Sequence, residues 1–426
     1  MDTQQPVDST GPRDRWWGSY ASRASGMLAS EVRALFAVAS RPEIVSLAGG
    51  MPAVDALPLE AVAATTSDLI TRRGAVALQY GSAQGDPQLR ARICDVMAME
   101  GITDAHPDNV VVTVGSQQAL DLLTRVFIDP GDVVLTEGPT YVTAINTFAA
   151  YQARVVHVPM DADGLSPEAL RETLARLATE GSRVKMLYTV PTFQNPSGVT
   201  LTVPRRGEVV EACRRAGVLV VEDNPYGLLS FNGDPIRAMR ADAPDDVVYL
   251  GSFSKTLAPG MRVGWALAPP PVAARLVLAA ESAILSHSMF TQLTVEQYLA
   301  TQPWPEQLKA FREMYRERRD AMLETLAETM PADSTWTRPD GGFFIWLTLP
   351  EGVDAKAMLP RAIAARVAYV PGTGFYADGS GRNAIRISYC YPPPDRVREG
   401  VRRLARVLHA ELDLRDTFAP RRPNDQ

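Results

Sequence analysis

A lysine flanked by serines is the feature of this 426-residue sequence with the clearest chemical meaning. Lys255 lies in the segment GSFSKTLAPGMR, with Ser252 and Ser254 before it and Arg262 after it. Its amine can form an imine with an aldehyde, while the two hydroxyls and the guanidinium can hold a phosphate. The segment therefore predicts a site for a phosphorylated aldehyde. As a single motif it also fits the alternative of a surface lysine in a serine-rich loop.

A second phosphate-binding element is predicted at Gly115-Ser116-Gln117, where a strand meets a helix. Backbone N–H groups at the start of a helix bind phosphate, and the positive end of the helix dipole strengthens this binding. Ser116 would also serve as an ordinary N-terminal cap. Without the lysine motif, the cap is the preferred interpretation of this segment.

Three more polar residues follow two other predicted strands. Asp223 and Tyr226 lie in VVEDNPY, and Asn195 lies in a turn within YTVPTFQNPSG. A carboxylate such as Asp223 can pair with a protonated pyridine nitrogen, which makes the ring an electron sink. The Asn195 amide and the Tyr226 hydroxyl can share a phenolic oxygen. Taken alone, Asp223 is equally well explained as a helix cap, and the Asn-Pro-Ser-Gly sequence as turn chemistry.

Short apolar runs alternate with amphipathic stretches from about residue 109 onward. This alternation is typical of βαβ units, so we predict an α/β fold with a mainly parallel seven-stranded sheet and helices on both faces. The predicted strands are 110–114, 133–136, 154–158, 184–189, 218–222, 247–250 and 262–268, and the predicted helices are 117–127, 142–150, 168–178 and 206–216. All four chemical motifs fall at carboxyl ends of strands, where open α/β sheets bind ligands.

The pattern changes after about residue 296 to that of a smaller α+β domain. Its predicted elements are helix 307–330, strands 343–349, 368–370 and 384–388, and a last helix at 395–412. The resulting domain prediction is an N-terminal arm and helix at 1–44 (the helix at 30–39), a large cofactor-binding domain at 45–295, a small C-terminal domain at 296–416 and a disordered tail at 417–426.

The composition is that of an ordinary globular protein, with 46% hydrophobic and 22% charged residues. A net charge of −6 provides no general attraction to nucleic acid or to an anionic membrane. The N-terminal stretch lacks the apolar core of a signal peptide. Cys94, Cys213 and Cys390 are odd in number and widely spaced, which favours free thiols over a disulfide framework or a zinc site. We therefore expect a cytoplasmic protein with no metal, nucleic-acid or membrane partner.

Taken together, the motifs resemble those of fold-type I enzymes that use pyridoxal 5′-phosphate (PLP). Within this group the sequence is similar to the class I/II aminotransferase family, in particular its aminoadipate-aminotransferase-like branch. The resemblance covers roughly residues 44–409 and rests on GSQQAL, EGPTY, YTVPTFQNPSG, EDNPY, GSFSKTLAPGMRVGW, DGGFFIW and NAIRIS. Agreement among independent motifs favours this family over chance matches to any one of them.

The resemblance implies a role for each residue of the motifs. It makes Lys255 the lysine that holds the cofactor as a Schiff base and carries the proton during the transfer. It places Asp223 at the pyridine nitrogen, and Asn195 and Tyr226 at the phenolic oxygen. Tyr141, in EGPTY, looks like the aromatic residue that stacks on the ring. The residues that match the phosphate cup are Ser116, Gln117, Ser252, Ser254 and Arg262.

The resemblance also implies a substrate site and a second subunit. Arg386 matches the arginine that grips the substrate α-carboxylate in a fork, Asn195 is expected to bind the substrate as well, and Gly50 matches the backbone that approaches the same carboxylate. Tyr80 matches a tyrosine that such enzymes lend to the neighbouring subunit's phosphate, so a homodimer with shared active sites is expected. The alternatives are a turn for Gly50, a packed ring for Tyr80 and a structural ion pair for Arg386.

The expected activity is transamination between an L-α-amino acid and a 2-oxo acid. The alternative is another PLP-dependent reaction on the same scaffold, such as cyclisation, oxidation or β/γ-substitution, because the cofactor supplies the chemistry. A transcription regulator with an aminotransferase-like domain is disfavoured, because the roughly 45 residues before that domain lack a basic helix-turn-helix pattern.

The choice of substrate side chain is left open by the sequence. Relatives acting on aminoadipate usually carry an arginine just before an Ala-Ser pair in the first helix, but here the segment reads SGMLAS and Arg23 is offset. A preference for a dicarboxylic substrate is therefore not predicted. Asn224 stands where many relatives have a second acidic residue. His287 follows a helix and is a candidate for a substrate contact.

Overall fold

The computed structural model describes residues 14–26 and 41–418. The helix predicted at 30–39 lies outside this part of the chain. So do residues 1–13 of the predicted arm, residues 27–30 of the SGMLAS segment and residues 419–426 of the predicted tail.

A large sheet lies at the centre of the described chain, and its strands are numbered here after a short β1 (Val45–Ser46). They are β2 (Val110–Thr113), β3 (Val133–Gly138), β4 (Arg154–Asp161), β5 (Gly164–Leu165), β6 (Val184–Thr189), β7 (Leu219–Asp223), β8 (Val247–Ser252) and β9 (Gly264–Leu267). Their order across the sheet is β2-β9-β8-β7-β6-β3-β4-β5. The five strands β8, β7, β6, β3 and β4 run parallel to one another. Strand β9 is antiparallel to its neighbours β2 and β8, and the edge strand β5 is antiparallel to β4.

The mainly parallel sheet predicted from the sequence is confirmed. Seven of its strands correspond to the seven predicted ones, and the eighth, β5, is a two-residue edge strand whose short hairpin has no apolar run to reveal it. Strand β8 is buried along its whole length, as is β7 after its first residue. This is the pattern of strands covered on both faces.

Helices cover both faces of the sheet. They are α1 (Leu59–Ala77), α2 (Pro87–Ala98), α3 (Ser116–Phe127), α4 (Val142–Ala150), α5 (Pro167–Thr179), α6 (Val203–Ala216), α7 (Pro270–Ile284) and α8 (Met289–Thr301). Side-chain caps fix several starts: Asp86 accepts backbone hydrogen bonds at α2, and Ser166 accepts one at α5. Gly217 ends α6 in the left-handed region, with φ of 68°, and turns the chain into β7.

A four-stranded antiparallel sheet follows in sequence, in the order β10-β11-β14-β13. Its strands are β10 (Thr335–Trp336), β11 (Phe344–Thr348), β13 (Val370–Pro371) and β14 (Ala384–Ser388), and the associated helices are α9 (Trp304–Thr329), α10 (Ala355–Ala364) and α11 (Pro394–Phe418). The remaining strand, β12 (Val367–Ala368), pairs in parallel with β1. Helix α11 continues into the first two residues of the predicted tail. The domain boundaries themselves stay a prediction.

No helix among the described residues is long and apolar enough to cross a membrane. The three cysteines are free thiols, and both Cys213 and Cys390 are buried. Arg386, in the centre of β14, faces Trp346 of β11 and Val370 of β13 in the register of the small sheet. This sheet therefore fixes the backbone of the predicted substrate arginine on both sides.

Candidate active site

A cavity of about 530 Å³ opens where the chain leaves the carboxyl ends of β3, β6, β7 and β8. It lies at the edge where ligands bind in open α/β sheets. Twelve of the thirteen predicted site residues line it: Gly50, Ser116, Gln117, Tyr141, Asn195, Asp223, Tyr226, Ser252, Ser254, Lys255, Arg262 and Arg386. The exception is Tyr80.

Lys255 follows β8 and reaches the loop after β1. Its Nζ donates a hydrogen bond to the backbone oxygen of Gly50 at 2.9 Å. Burial lowers the pKa of Lys255 to about 8, and the charges of Arg386 and Arg262 act in the same direction. A lysine with a lowered pKa is the more reactive nucleophile near neutral pH. A Cβ at position 50 would lie 2.9 Å from the ring of Phe344, so any larger residue there would require this ring to shift.

Asp223, the last residue of β7, presents one free carboxylate oxygen to the cavity. The Tyr188 hydroxyl, from the neighbouring strand β6, donates a hydrogen bond to Oδ2 at 2.8 Å. The other oxygen, Oδ1, is buried and has no partner among the described residues. Burial raises the pKa of Asp223 to about 6, and the side chains of Tyr188 and Ser116 oppose this shift. The site thus leaves one acceptor for an N–H group in the cavity.

Asn195 and Arg386 are joined across the two sheets. Nη1 of Arg386 donates to Oδ1 of Asn195 at 2.9 Å, and Nη2 donates to the backbone oxygen of Ala48 at 2.7 Å. Because the guanidinium can only donate, it fixes the amide with its oxygen towards Arg386. The Nδ2 group of Asn195 is then left as a hydrogen-bond donor.

Arg386 is a buried cation without a carboxylate partner among the described residues. Its side chain lies over the rings of Phe344 and Phe375, at 4.2 and 5.1 Å, and its Nε is buried without a hydrogen-bond partner. Burial lowers its pKa to about 10. Such a charge is costly unless an anion compensates it. The structural ion pair considered for Arg386 is not formed by the described residues, and a bound carboxylate fits the position.

The start of α3 and the loop before β9 bring together groups of the kind that bind a phosphate. Gly115 precedes α3 with φ of 77°, and the guanidinium of Arg262 packs against it so closely that a Cβ would lie 2.6 Å from Nη2. Nη2 of Arg262 donates to the backbone oxygen of Val114 at 2.8 Å. Arg262 itself has a φ of 51°, an uncommon conformation that is often found at functional sites. A guanidinium therefore lies beside the free N–H groups of a helix start.

The remaining predicted phosphate ligands border the same part of the cavity. The hydroxyl oxygens of Ser252 and Ser254 lie 2.8 Å apart. The Gln117 side chain donates to Oγ1 of Thr147 on α4 at 2.7 Å, so its backbone N–H, in the first turn of α3, is the group suited to a phosphate.

Aromatic residues form the walls. Tyr141 precedes α4 and lines the cavity. Tyr226 packs edge to face against Phe343 and Phe344, with ring centroids 5.4 and 6.0 Å away. Burial raises the pKa of Tyr226 well above its usual value, so its hydroxyl stays protonated and able to donate.

Three other candidates lie away from the cavity. Tyr80 is 77% exposed, and this chain does not bring it to the other site residues. His287 is buried, with Nε2 2.9 Å from Oε1 of Gln118, and it does not line the cavity. Arg23 lies near Tyr151, also outside the cavity lining.

Among the lining residues that were not predicted as site residues, Tyr188 and Phe344 make the contacts that matter most for the site. Tyr188 is the last residue but one of β6, and in the sequence it looks like any other buried strand residue. Its hydrogen bond to Asp223 becomes apparent only in the structure. Phe344 belongs to the quoted segment DGGFFIW, and its ring lies under Arg386. Both residues belong to quoted motifs, since Tyr188 is the first residue of YTVPTFQNPSG, but neither motif reveals which residue its side chain contacts.

The residues present fit PLP. The cavity combines an amine with a lowered pKa, a buried carboxylate oxygen without a partner, and a helix start with an arginine beside it. These groups match the aldehyde, the pyridine nitrogen and the phosphate of the cofactor. Lys255, Asp223, Asn195, Tyr226 and the residues around Gly115 would hold it.

Comparisons with known proteins agree with the family predicted from the sequence. Residues 42–404 match the family model described as aminotransferase class I and II. The chain is 41% identical over 394 residues to aromatic-amino-acid aminotransferase 1 of Thermococcus litoralis, covering 92% of this chain and 94% of the relative. It is 38% identical to 2-aminoadipate transaminase of Thermus thermophilus, covering 94% and 98%. The crystal structure of Pyrococcus horikoshii kynurenine aminotransferase, in complex with PMP, KYN and KYA, superposes with a TM-score of 0.89 at 40% identity, covering 93% and 98%.

Proposed function

We propose that the cavity at the carboxyl ends of the sheet strands is the active site of this chain, which belongs to the class I and II aminotransferases, in the aminoadipate-like branch. The chain is a PLP-dependent enzyme that moves amino groups between amino acids and 2-oxo acids. Lys255 holds the cofactor and moves the proton, Asp223 pairs with the ring, and Arg386 binds the substrate. The transfer activity takes precedence over the cyclase, oxidase and substitution alternatives, because the relatives are aminotransferases.

PLP, when bound, supplies an aldehyde and a ring that stabilises negative charge on the substrate carbon. Asp223 would support this ring through Oδ1, which is available to the pyridine nitrogen while Tyr188 holds Oδ2. The Nδ2 group of Asn195 and the hydroxyl of Tyr226 donate to the phenolic oxygen. Tyr141 lies against the ring, and the residues at the start of α3 hold the phosphate with Arg262.

The proton is transferred by Lys255. Its amine has a pKa lowered to about 8, so a substantial neutral fraction is available near neutral pH to accept a proton from the substrate Cα. The same nitrogen, once protonated, would be the donor that gives the proton back during the transfer. Phe344 and Tyr226 line the same cavity and supply apolar surface around this step.

The observation that carries the proposal is the buried guanidinium of Arg386, which has no carboxylate partner among the described residues and lines the same cavity as Lys255. An α-carboxylate supplies the missing charge and two parallel acceptors. Asn195 accepts from Nη1 and so keeps the fork oriented before substrate arrives.

A single-turnover experiment tests this function. The PLP-loaded enzyme is mixed with one L-amino acid and no 2-oxo acid, and the products are quantified. We expect one equivalent of 2-oxo acid per site, no ammonia, and a new amino acid when a second 2-oxo acid is added. Release of ammonia in continuous turnover would favour an oxidase or an elimination instead. Lys255→Ala, the matched control, should release no 2-oxo acid.

We further propose that the active enzyme is a homodimer in which Tyr80 contributes to the partner's phosphate site. Tyr80 is largely exposed, as expected for a residue whose role lies in another subunit. Several large apolar side chains around α1 are exposed as well, including Leu59 at 62% and Leu78 at 73%. Exposed apolar side chains at both ends of α1 favour association with another surface. The cytoplasmic location stays a prediction.

A further inference from the structure

A buried carboxylate at the end of β3 takes no direct part in the proposed mechanism. Glu137, the first residue of EGPTY, is 2% exposed and does not line the cavity. It accepts three hydrogen bonds: from the Thr189 hydroxyl at 2.6 Å, from the backbone N–H of Val190 at 3.1 Å and from the side-chain amide of Gln194 at 2.7 Å. All three donors belong to the end of β6 or to the turn that carries Asn195.

Gln194 transmits this contact into the turn. Its Nε2 uses both hydrogens, one towards Glu137 and one towards the backbone oxygen of Pro139 at 2.9 Å. Its Oε1 accepts from the backbone N–H of Ser197 at 3.1 Å and from the Ser197 hydroxyl at 2.5 Å. The two ends of one amide therefore connect Glu137 to the residue that lies two positions beyond Asn195.

The turn has a conformation that contacts must maintain. Phe193, directly before Gln194, has a φ of 49°, which is uncommon and strained for a residue with a side chain. On the far side, the Thr337 hydroxyl donates to the backbone oxygen of Ser197 at 2.6 Å and accepts from the backbone N–H of Trp346. Trp346 faces Arg386 in the register of the small sheet. These hydrogen bonds thus fix the positions of Asn195 and Arg386 relative to each other.

The chemistry of Glu137 fits positioning better than stabilisation. Burial raises its pKa, and the hydrogen bonds from Gln194, Thr189 and Val190 oppose the shift. No cation forms an ion pair with it within the described ranges, so the side chain carries the cost of burial without the gain of a salt bridge. All its direct contacts go to the segment that presents Asn195.

We propose that Glu137 is a positioning residue which, through Gln194, sets the orientation of Asn195 and hence the hydrogen bonds that Asn195 makes with the cofactor's phenolic oxygen and with Arg386. The inference rests on the role proposed above for Asn195. It adds a pair of residues outside the cavity whose hydrogen bond is required for that role.

The pH at which the absorbance of bound PLP changes provides the test. A donor to the phenolic oxygen stabilises its anionic form, so losing the donor raises the midpoint of this titration. Asn195→Ala should raise the midpoint by about one to two pH units, the range for one charge-assisted hydrogen bond. Glu137→Ala and Gln194→Leu should each raise it by at least about half as much, and should raise KM for the amino acid more than they lower kcat.

The double variant Glu137→Ala/Gln194→Leu should shift the midpoint no further than the larger single shift, because both changes remove the same hydrogen bond. Gln292→Leu is the control. Gln292 is also a buried glutamine that accepts from a backbone N–H, that of Asp86, but it lies outside the cavity lining. This variant should lower the melting temperature and leave the midpoint unchanged. If Glu137→Ala does not fold, Gln194→Leu alone carries the test.

Two results would overturn the inference, and they are distinguishable. If Asn195→Ala shifts the midpoint while Gln194→Leu lowers only the melting temperature, the connection through Gln194 is refuted and the role of Asn195 stands. If Asn195→Ala itself leaves the midpoint unchanged, the proposed contact of Asn195 with the cofactor fails, and the inference fails with it.

Discussion

Tyr188 donates its hydroxyl to Oδ2 of Asp223 at 2.8 Å, and the opposite oxygen of the same carboxylate is buried without a partner among the described residues. The two residues lie on adjacent parallel strands, at the edge of the sheet where the cavity opens. One half of the carboxylate is therefore fixed by the protein and the other half is kept for a ligand. This division orients Asp223 towards a single N–H group.

Removing the Tyr188 hydroxyl should make Asp223 harder to ionise. Its pKa is raised to about 6 by burial, and Tyr188 holds it below the value that burial alone would give. In Tyr188→Phe the pKa rises further, so more of the carboxyl is neutral below pH 7 and the acidic limb of kcat/KM moves to higher pH. A shift of about one to two pH units is expected from one hydrogen bond to a charged group.

Tyr249→Phe is the matched control for that change. The Tyr249 hydroxyl also donates to a buried carboxylate, that of Glu100 at 2.5 Å, but neither residue lines the cavity. This variant should lose stability without moving the acidic limb. Equal pH profiles for wild type and Tyr188→Phe would show that Tyr188 does not tune Asp223.

Arg386→Lys should weaken substrate binding and leave the bound cofactor's absorbance normal. Lysine keeps the charge but lacks the planar fork that contacts Asn195, Ala48 and the substrate carboxylate together. A loss of about 1.5–3 kcal/mol in kcat/KM is expected, mostly through KM. Steady-state kinetics and a melting curve on the same protein provide the measurement.

Arg382→Lys, just before β14, is the control for Arg386→Lys. Arg382 is an exposed arginine that pairs with Asp354 at 2.8 Å, and changing it should leave both KM and kcat as they are. A lowered melting temperature together with an unchanged KM in Arg386→Lys would assign Arg386 to the fold alone.

The sequence predicted the cavity more completely than it predicted the helices around it. The bounds of β6, β14 and α4 agree with the prediction, and turn residues precede both strands, Gly181-Ser182 before β6 and Gly381-Arg382-Asn383 before β14. Helix α1 was not predicted. It buries Thr65 and leaves Leu59 and Val76 exposed, so it lacks the regular apolar face that marks a helix packed on a core.

Contacts between distant segments were beyond the reach of any local pattern. Tyr188 bonds to Asp223, 35 residues away, and Gln194 bonds to Glu137, 57 residues away. The sequence pattern of the strand does not distinguish Tyr188 from its buried neighbours. The buried polar groups become recognisable only when the sheet order brings β3, β6 and β7 side by side. The opposite holds for Tyr80. The family resemblance predicted a role for this residue, but in a single chain its side chain is exposed.

The reactivity of Lys255 in the apoprotein should depend on pH with a midpoint near 8. Its pKa is lowered to about that value by burial, with a further contribution from Arg386. The neutral amine is the nucleophile, so the rate of reaction with added PLP rises as pH increases through the lysine pKa. Stopped-flow absorbance between pH 6 and about 10 measures this rate. A midpoint close to the ordinary lysine value of about 10.4 would mean that the amine is hydrated and not buried.

Hybrid sites should restore activity if the dimer shares its sites through Tyr80. Lys255→Ala lacks the reactive lysine, and Tyr80→Phe lacks the partner's hydroxyl, so each homodimer is impaired. Unfolding and refolding the two together forms hybrids in which one site has both Lys255 and Tyr80. We expect activity above the sum of the separately refolded variants. A fully active monomer in sedimentation at micromolar concentration would contradict the shared site.

The central claim, that Lys255 holds the cofactor in this cavity, is tested most directly by borohydride reduction of the PLP-loaded enzyme followed by peptide mapping. The chain has three other lysines, Lys185, Lys309 and Lys356, none of which lines the cavity, and they serve as internal controls. We predict one reduced cofactor per chain, on the peptide that contains Lys255, and none in Lys255→Ala. Stoichiometric labelling of another lysine, or of the Lys255→Ala variant, would contradict the assignment of the active site.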